Sequence, residues 1–157
     1  MSGIASPKVL IGADAYLESY EGRDGKWELH DGAPVAMSPE RMAHVRTKYS
    51  AHAALASSKA PCEALGEGVA VRIGPATVYE PDALVNRGER LDGDALEASN
   101  PVIVVEVLSP STASLDHGRK LRDYFSRPSV AHYLILDPDA RTAIHHARGR
   151  GDLFPSE

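Results

Sequence analysis

The segment NPVIVVEVLSPSTASLDHGRKLRDYF, residues Asn100 to Phe125, decides how the rest of the chain is read. Its first part, Pro101 to Leu108, is apolar and rich in Val and Ile apart from one carboxylate, Glu106. Such a run fits a strand buried on both faces. An ionised carboxylate in that setting is costly unless a cation or hydrogen-bond donors meet it. Judged by the strand alone, Glu106 is as readily a structural carboxylate neutralised by a neighbouring base as a functional one. Ser109-Pro110-Ser111 signals a turn. A helix is expected from about Ser114 to Phe125, with Asp116, Lys120 and Tyr124 at i, i+4 and i+8 on one face. A carboxylate near a strand end, a turn, and a helix presenting a lysine suit an active site.

At 157 residues the chain is expected to form one domain with an adequate core. Its apolar and charged fractions are ordinary for a soluble globular protein. No apolar run approaches the ~20 residues of a membrane helix, and the opening MSGIASPKV lacks a secretory apolar region, so a cytoplasmic location is expected. The single cysteine, Cys62, excludes an intrachain disulfide and a cysteine zinc site. A net charge of −5 argues against a broad basic nucleic-acid surface. Basic residues do gather at Arg41, Arg46, Lys48 and Lys59, and at Arg119, Lys120, Arg122 and Arg127, where the simplest reading is solvated helix faces.

From the N-terminus, residues 13 to 21 read as a helix with Tyr16, Leu17 and Tyr20 on its apolar side. Residues 26 to 37 read as a hairpin turning at Asp31-Gly32, with Glu28 on the opposite face of its arm from Trp27 and Leu29. Ser38 as N-cap and Pro39 at the first helical position predict a helix to about Ala60, ended by Pro61. His44, Lys48 and His52 share one face of it, most simply a solvated stripe. Strand-like pieces follow, clearest at 69 to 73 and 78 to 85, with Pro81 marking an edge or a strand start. Residues 86 to 99 read as a surface loop, and 131 to 137 and 142 to 146 as two further strands. The order predicts an α/β or α+β chain: a mixed β-sheet flanked by helices, with an N-terminal helix and β-hairpin.

Glu106 gains meaning beside Asp82, since each sits in an apolar strand. Two carboxylates from adjacent strands can hold one or two divalent cations, and Mg²⁺ tolerates few protein ligands because water and substrate phosphate complete its shell. Asp82 after Pro81 also fits an ordinary turn residue. Lys120 on the next helix is placed to orient or deprotonate a water and to stabilise charge on phosphoryl oxygens.

The ordered set PDALV (81–85), VVEVLSPST (104–112), Asp116…Lys120…Tyr124 and AHYLILDP (131–138) resembles the PD-(D/E)XK nuclease superfamily, and within it the Uma-type "putative restriction endonucleases". WELHDG, the MSP that follows it and His44 fit that family's N-terminal pattern, so the likeness spans about residues 13 to 146. The resemblance implies a restriction-endonuclease-like core and a metal-dependent phosphodiesterase acting on DNA with Mg²⁺ or Mn²⁺. It makes Asp82 and Glu106 the metal ligands, with Glu28 a third acidic residue of the site. The superfamily's usual lysine position, two residues after the acidic one, is here Leu108, and Lys120 takes that place from the helix. His44 at its family position becomes a candidate for gripping phosphate. Tyr124 is expected to pack against or support Lys120, and Ser109 to be a turn or capping hydroxyl beside the site. No Gly-x-Ser-x-Gly elbow surrounds Ser109 to make it a nucleophile. A homodimer is expected if both strands of a duplex are cut. The alternative is a nuclease fold that has lost cleavage and serves as a DNA-binding or assembly module, which Leu108 and the acidic charge favour.

Overall fold

The computed structural model describes residues 9–20, 22–57, 61–109 and 117–149. Its elements run α1 (Ala13–Tyr20), β1 (Trp27–His30), β2 (Ala33–Ala36), α2 (Met42–Leu55), β3 (Cys62–Leu65), β4 (Val71–Gly74), β5 (Thr77–Tyr79), β6 (Ala83–Arg87), β7 (Pro101–Val107), α3 (His117–Ser126), β8 (His132–Asp137) and β9 (Thr142–Ala147). The expected mixed α/β architecture is present, distributed over two sheets rather than one. A four-stranded sheet has the order β2-β1-β5-β4 and a five-stranded sheet the order β3-β6-β7-β8-β9. Every pair is antiparallel except β7 with β8, which are parallel and joined through α3.

The hairpin turns where expected. Asp31 and Gly32 both adopt positive φ, 48° and 83°, as the twist-matched two-residue turn demands. A side chain at Gly32 would also press on Leu10 and Ile11, 3.1 and 3.2 Å from its added carbon. Alternation along β1 sends Leu29 to a small core with Ala13, Tyr16 and Val78, and Glu28 to the other face. β7 lies between β6 and β8, and its Val104 packs with Leu84, Tyr124, Phe125, Tyr133 and Ile135 in the larger core. Three tyrosine rings cross this core in sequence, Tyr79 to Tyr124 at 5.5 Å and Tyr124 to Tyr133 at 5.1 Å.

Several expectations need correction. The second helix begins at Met42 with Arg41 in extended conformation as its cap residue, so neither Ser38 as N-cap nor Pro39 at the first helical position holds. Glu40 instead pairs with Lys48 and lies near His44, and residues 37–40 line a cavity. The helix ends at Leu55, and Ser57 Oγ takes the Ala54 carbonyl at 2.7 Å that another turn would need. The single strand expected over 78 to 85 is two, β5 and β6, one in each sheet. Pro81 cannot donate to a ladder, and the Glu80 N–H is diverted to Glu28 Oε1 at 3.1 Å, so the chain crosses between sheets here. β3 reads CEAL, without a β-branched residue to announce it. The expected start of α3 at Ser114 and the face position of Asp116 lie outside the described residues. No helix among the described residues is long and apolar enough to cross a membrane.

Candidate active site

The crossing from β5 to β6 places Asp82 one residue before β6. Ala83 pairs with Val105, so Asp82 faces Glu106 one step beyond the last paired residues. The Asp82 N–H reaches the Val105 carbonyl at 3.0 Å, and the Val107 N–H donates to Asp82 Oδ2 at 2.6 Å. Facing residues of an antiparallel pair project to the same side about 5 Å apart at Cβ. The two carboxylates are buried, at 2% and 9% exposure, and both line a cavity of about 680 Å³. Lys26, Glu28, Glu40, His44, Ser109 and Lys120 line the same cavity.

Lys120 lies one face across, on α3. Its ammonium donates to Glu106 Oε1 at 3.0 Å and to Glu28 Oε1 at 3.1 Å, and stands 4.9 Å from the centre of the Tyr79 ring. The Tyr124 hydroxyl donates to the same Glu106 Oε1 at 2.6 Å. Burial disfavours the charged ammonium of Lys120, yet Glu106 and Glu28 outweigh it and raise its pKa. Burial also pushes Glu106 up; Lys120 pulls down, but Asp82 and Glu28 add to the rise. Glu28 is likewise penalised by burial, but Lys120, His30 and the Glu80 N–H together bring it below the usual carboxylate range. Besides the shared ammonium, Glu28 has an imidazole and a backbone N–H, which lower it where Glu106 stays raised.

Asp82 has its own set of partners. Lys26 Nζ sits 2.9 Å from Oδ1, Lys48 Nζ 3.9 Å from Oδ1, and His44 Nε2 3.6 Å from Oδ2. Burial works against ionisation, but His44, Lys26 and the Val107 N–H hold the carboxyl well below its usual range. Because the imidazole stands beyond hydrogen-bond reach, the Lys26 and Val107 contacts are the firmer part of that effect. His44 Nε2 is also 3.6 Å from Glu40 Oε1, and both ring nitrogens are buried without a hydrogen-bond partner among the described residues. One ligand atom from each of Glu40, His44 and Asp82 falls within 4.8 Å of the others, close enough to meet on a single ion. Lys48 pairs with Glu40 and Glu67.

The structure therefore brings Asp82, Glu106, Lys120, Glu28, His44, Tyr124 and Ser109 to one cavity or its wall. His44 and Lys48, read above as a solvated stripe, are buried at 8% and 7% exposure and point inward; the acidic site below α2 claims them. His52 is half-buried, 3.4 Å from the Ala64 carbonyl and away from the cavity. Sequence reasoning missed Lys26, Glu40 and Glu67. Two signals were present. Lys26 shares strand parity with Glu28, and Glu40 extends the His44, Lys48 stripe by one helical turn.

The fold is shared with the crystal structure of "a putative nuclease belonging to DUF820" from Anabaena variabilis, at a TM-score of 0.67 and 15% identity over 85% of this chain and 80% of that one. The uncharacterized protein slr1290 of Synechocystis sp. is 27% identical over 152 residues, which cover 94% of this chain and 80% of that protein. Residues 13–156 match the Uma2 family, described as putative restriction endonuclease. A restriction-endonuclease-like fold, and a match to one family over nearly its whole length, place the chain in the Uma2 family of putative restriction endonucleases.

Proposed function

We propose that this chain is a DNA endonuclease that hydrolyses phosphodiester bonds with Mg²⁺ or Mn²⁺ held by Asp82 and Glu106. The observation that carries the reading is the β6–β7 register, which sets two buried carboxylates facing each other on one cavity wall. The donor set fits a hard divalent cation. Lys120 and Tyr124 both engage Oε1 of Glu106, so a cation would meet that carboxylate through Oε2. Glu40 and His44, on the far side of Asp82, add an oxygen and a nitrogen donor within reach.

A divalent ion at this site supplies Lewis-acid stabilisation of the phosphoryl oxygens and a water of lowered pKa. The chain's own residues do the rest. Glu28 and Glu106 fix the Lys120 ammonium, which orients the attacking water and faces the charge that grows on the phosphate. Tyr124 fixes the rotation of the Glu106 carboxylate. Ser109 lines the cavity, where it would meet the bound strand. Cutting both strands of a duplex with one site per chain calls for a homodimer.

Isothermal titration of Mn²⁺ into the wild type, Asp82→Ala and Glu106→Ala tests the assignment. The wild type is expected to bind, and each variant, folded by circular dichroism, to lose binding at least roughly tenfold. A wild type that binds no Mn²⁺ supports instead an inert nuclease-fold module.

A further inference from the structure

Asp82 presents an obstacle to any metal that uses it. Oδ2 is engaged by the Val107 N–H at 2.6 Å, and Oδ1 carries the Lys26 ammonium at 2.9 Å, so neither oxygen is without a donor. The three lysines of the cluster differ in what holds them. Lys120 bridges two carboxylates beneath an aromatic ring. Lys48 bridges Glu40 and Glu67 and reaches Asp82 only at 3.9 Å. Among the described residues, the one carboxylate within ion-pair distance of Lys26 is Asp82, and Lys26 lines the cavity from the entry to β1. Its backbone is fixed by the Met37 N–H on its carbonyl at 2.8 Å, so its side chain can move while its anchor stays.

We propose that Lys26 is a resident counter-ion of Asp82 which a divalent cation displaces, and that the freed ammonium then pairs with the DNA phosphate in the same cavity. The inference rests on the proposed metal role of Asp82. An ammonium and a divalent cation compete for one carboxylate oxygen, so with Lys26 in place part of the metal's binding energy goes into breaking an existing ion pair. Displaced from Asp82, the ammonium lacks a carboxylate within ion-pair distance among the described residues. A phosphodiester entering the cavity is the anion that meets it. Lys26 thereby acts as a positioning residue whose occupancy links metal loading to substrate binding.

The test is Mn²⁺ titration of the wild type, Lys26→Met and Lys26→Arg, with thermal melts and plasmid nicking on the same preparations. Lys26→Met is expected to bind Mn²⁺ roughly tenfold tighter than the wild type. It should melt lower without metal, regain stability as Mn²⁺ is added, and nick at least roughly tenfold more slowly at saturating Mn²⁺. Lys26→Arg keeps the competing charge and is expected to bind Mn²⁺ as the wild type does. Should Lys26→Met fail to fold without metal, Lys26→Gln, which still donates one hydrogen bond, carries the same comparison. Unchanged Mn²⁺ affinity in the uncharged variants while the wild type binds overturns the inference and leaves the metal site standing. Tighter binding with an unaltered rate at saturating metal overturns the hand-over to phosphate. Absence of Mn²⁺ binding in every form overturns both this inference and the metal assignment.

Discussion

Glu28 on β1 and Lys120 on α3 meet at 3.1 Å, 92 positions apart in the chain and both nearly excluded from solvent. The contact ties the four-stranded sheet to the helix that follows the central strand of the five-stranded one. Because the same ammonium reaches Glu106, the lysine joins the two sheets and completes the site at once.

Removing that ammonium leaves two buried carboxylates without their shared partner. Lys120→Met is expected to lose about 3 kcal/mol of stability near pH 8 by urea denaturation. The loss shrinks as pH falls, because Glu106, already raised above the usual range by burial, takes up a proton first. A loss that is constant from pH 8 to pH 5 contradicts this.

Tyr124→Phe keeps the ring between Tyr79 and Tyr133 and deletes only the hydroxyl on Glu106. A hydrogen bond to a charged group is worth about 2 kcal/mol, and that is the expected drop in unfolding free energy. A drop much larger than this means the ring stack has moved, which a crystal structure of the variant detects.

Glu80 sits at the crossing between sheets, where burial, offset by Lys26 and reinforced by Glu67 and Glu28, pushes its carboxyl up to about 7. A folded-state value above the unfolded one means its contribution is fully present below about pH 4.5 and is lost as pH rises through 7. Glu80→Gln removes that loss. Since Glu80 is partly exposed, solvent screening reduces the effect to about 1 kcal/mol. The variant should match the wild type near pH 4.5 and exceed it at pH 8, measured as the difference in melting temperature.

His44 brings a nitrogen donor near Asp82, and imidazole favours Mn²⁺ over Mg²⁺. His44→Ala is expected to lower Mn²⁺ affinity by roughly tenfold while changing Mg²⁺ affinity less. Equal losses for the two ions place the imidazole outside the coordination sphere.

Legibility in the sequence followed physical contrast. Glu106 stood out because a carboxylate interrupts seven residues of strand otherwise apolar, and Asp31-Gly32 because few dipeptides accept two positive φ values. The helical spacing of Lys120 and Tyr124 was readable, as was the face of β1 that carries Glu28. Lys26, Glu40, Lys48 and Glu67 offered no such contrast, lying in polar segments where charged residues normally meet water. Lys26 and Lys48 are covered by the folding of the hairpin and α2 over the end of β6, a long-range event, while Glu40 and Glu67 stay partly exposed beside Lys48. The split between β5 and β6 was only half legible. Pro81 marked a possible strand start, and the Glu80 N–H turning to Glu28 is the contact that ends β5 before it.

Incubating supercoiled plasmid with the wild type and Glu106→Ala, in Mg²⁺, in Mn²⁺ and in chelator, tests the nuclease assignment most directly. Nicking by the wild type that requires the metal and disappears in a folded Glu106→Ala is the predicted result. Intact plasmid under every condition, or cleavage that persists in Glu106→Ala, contradicts it.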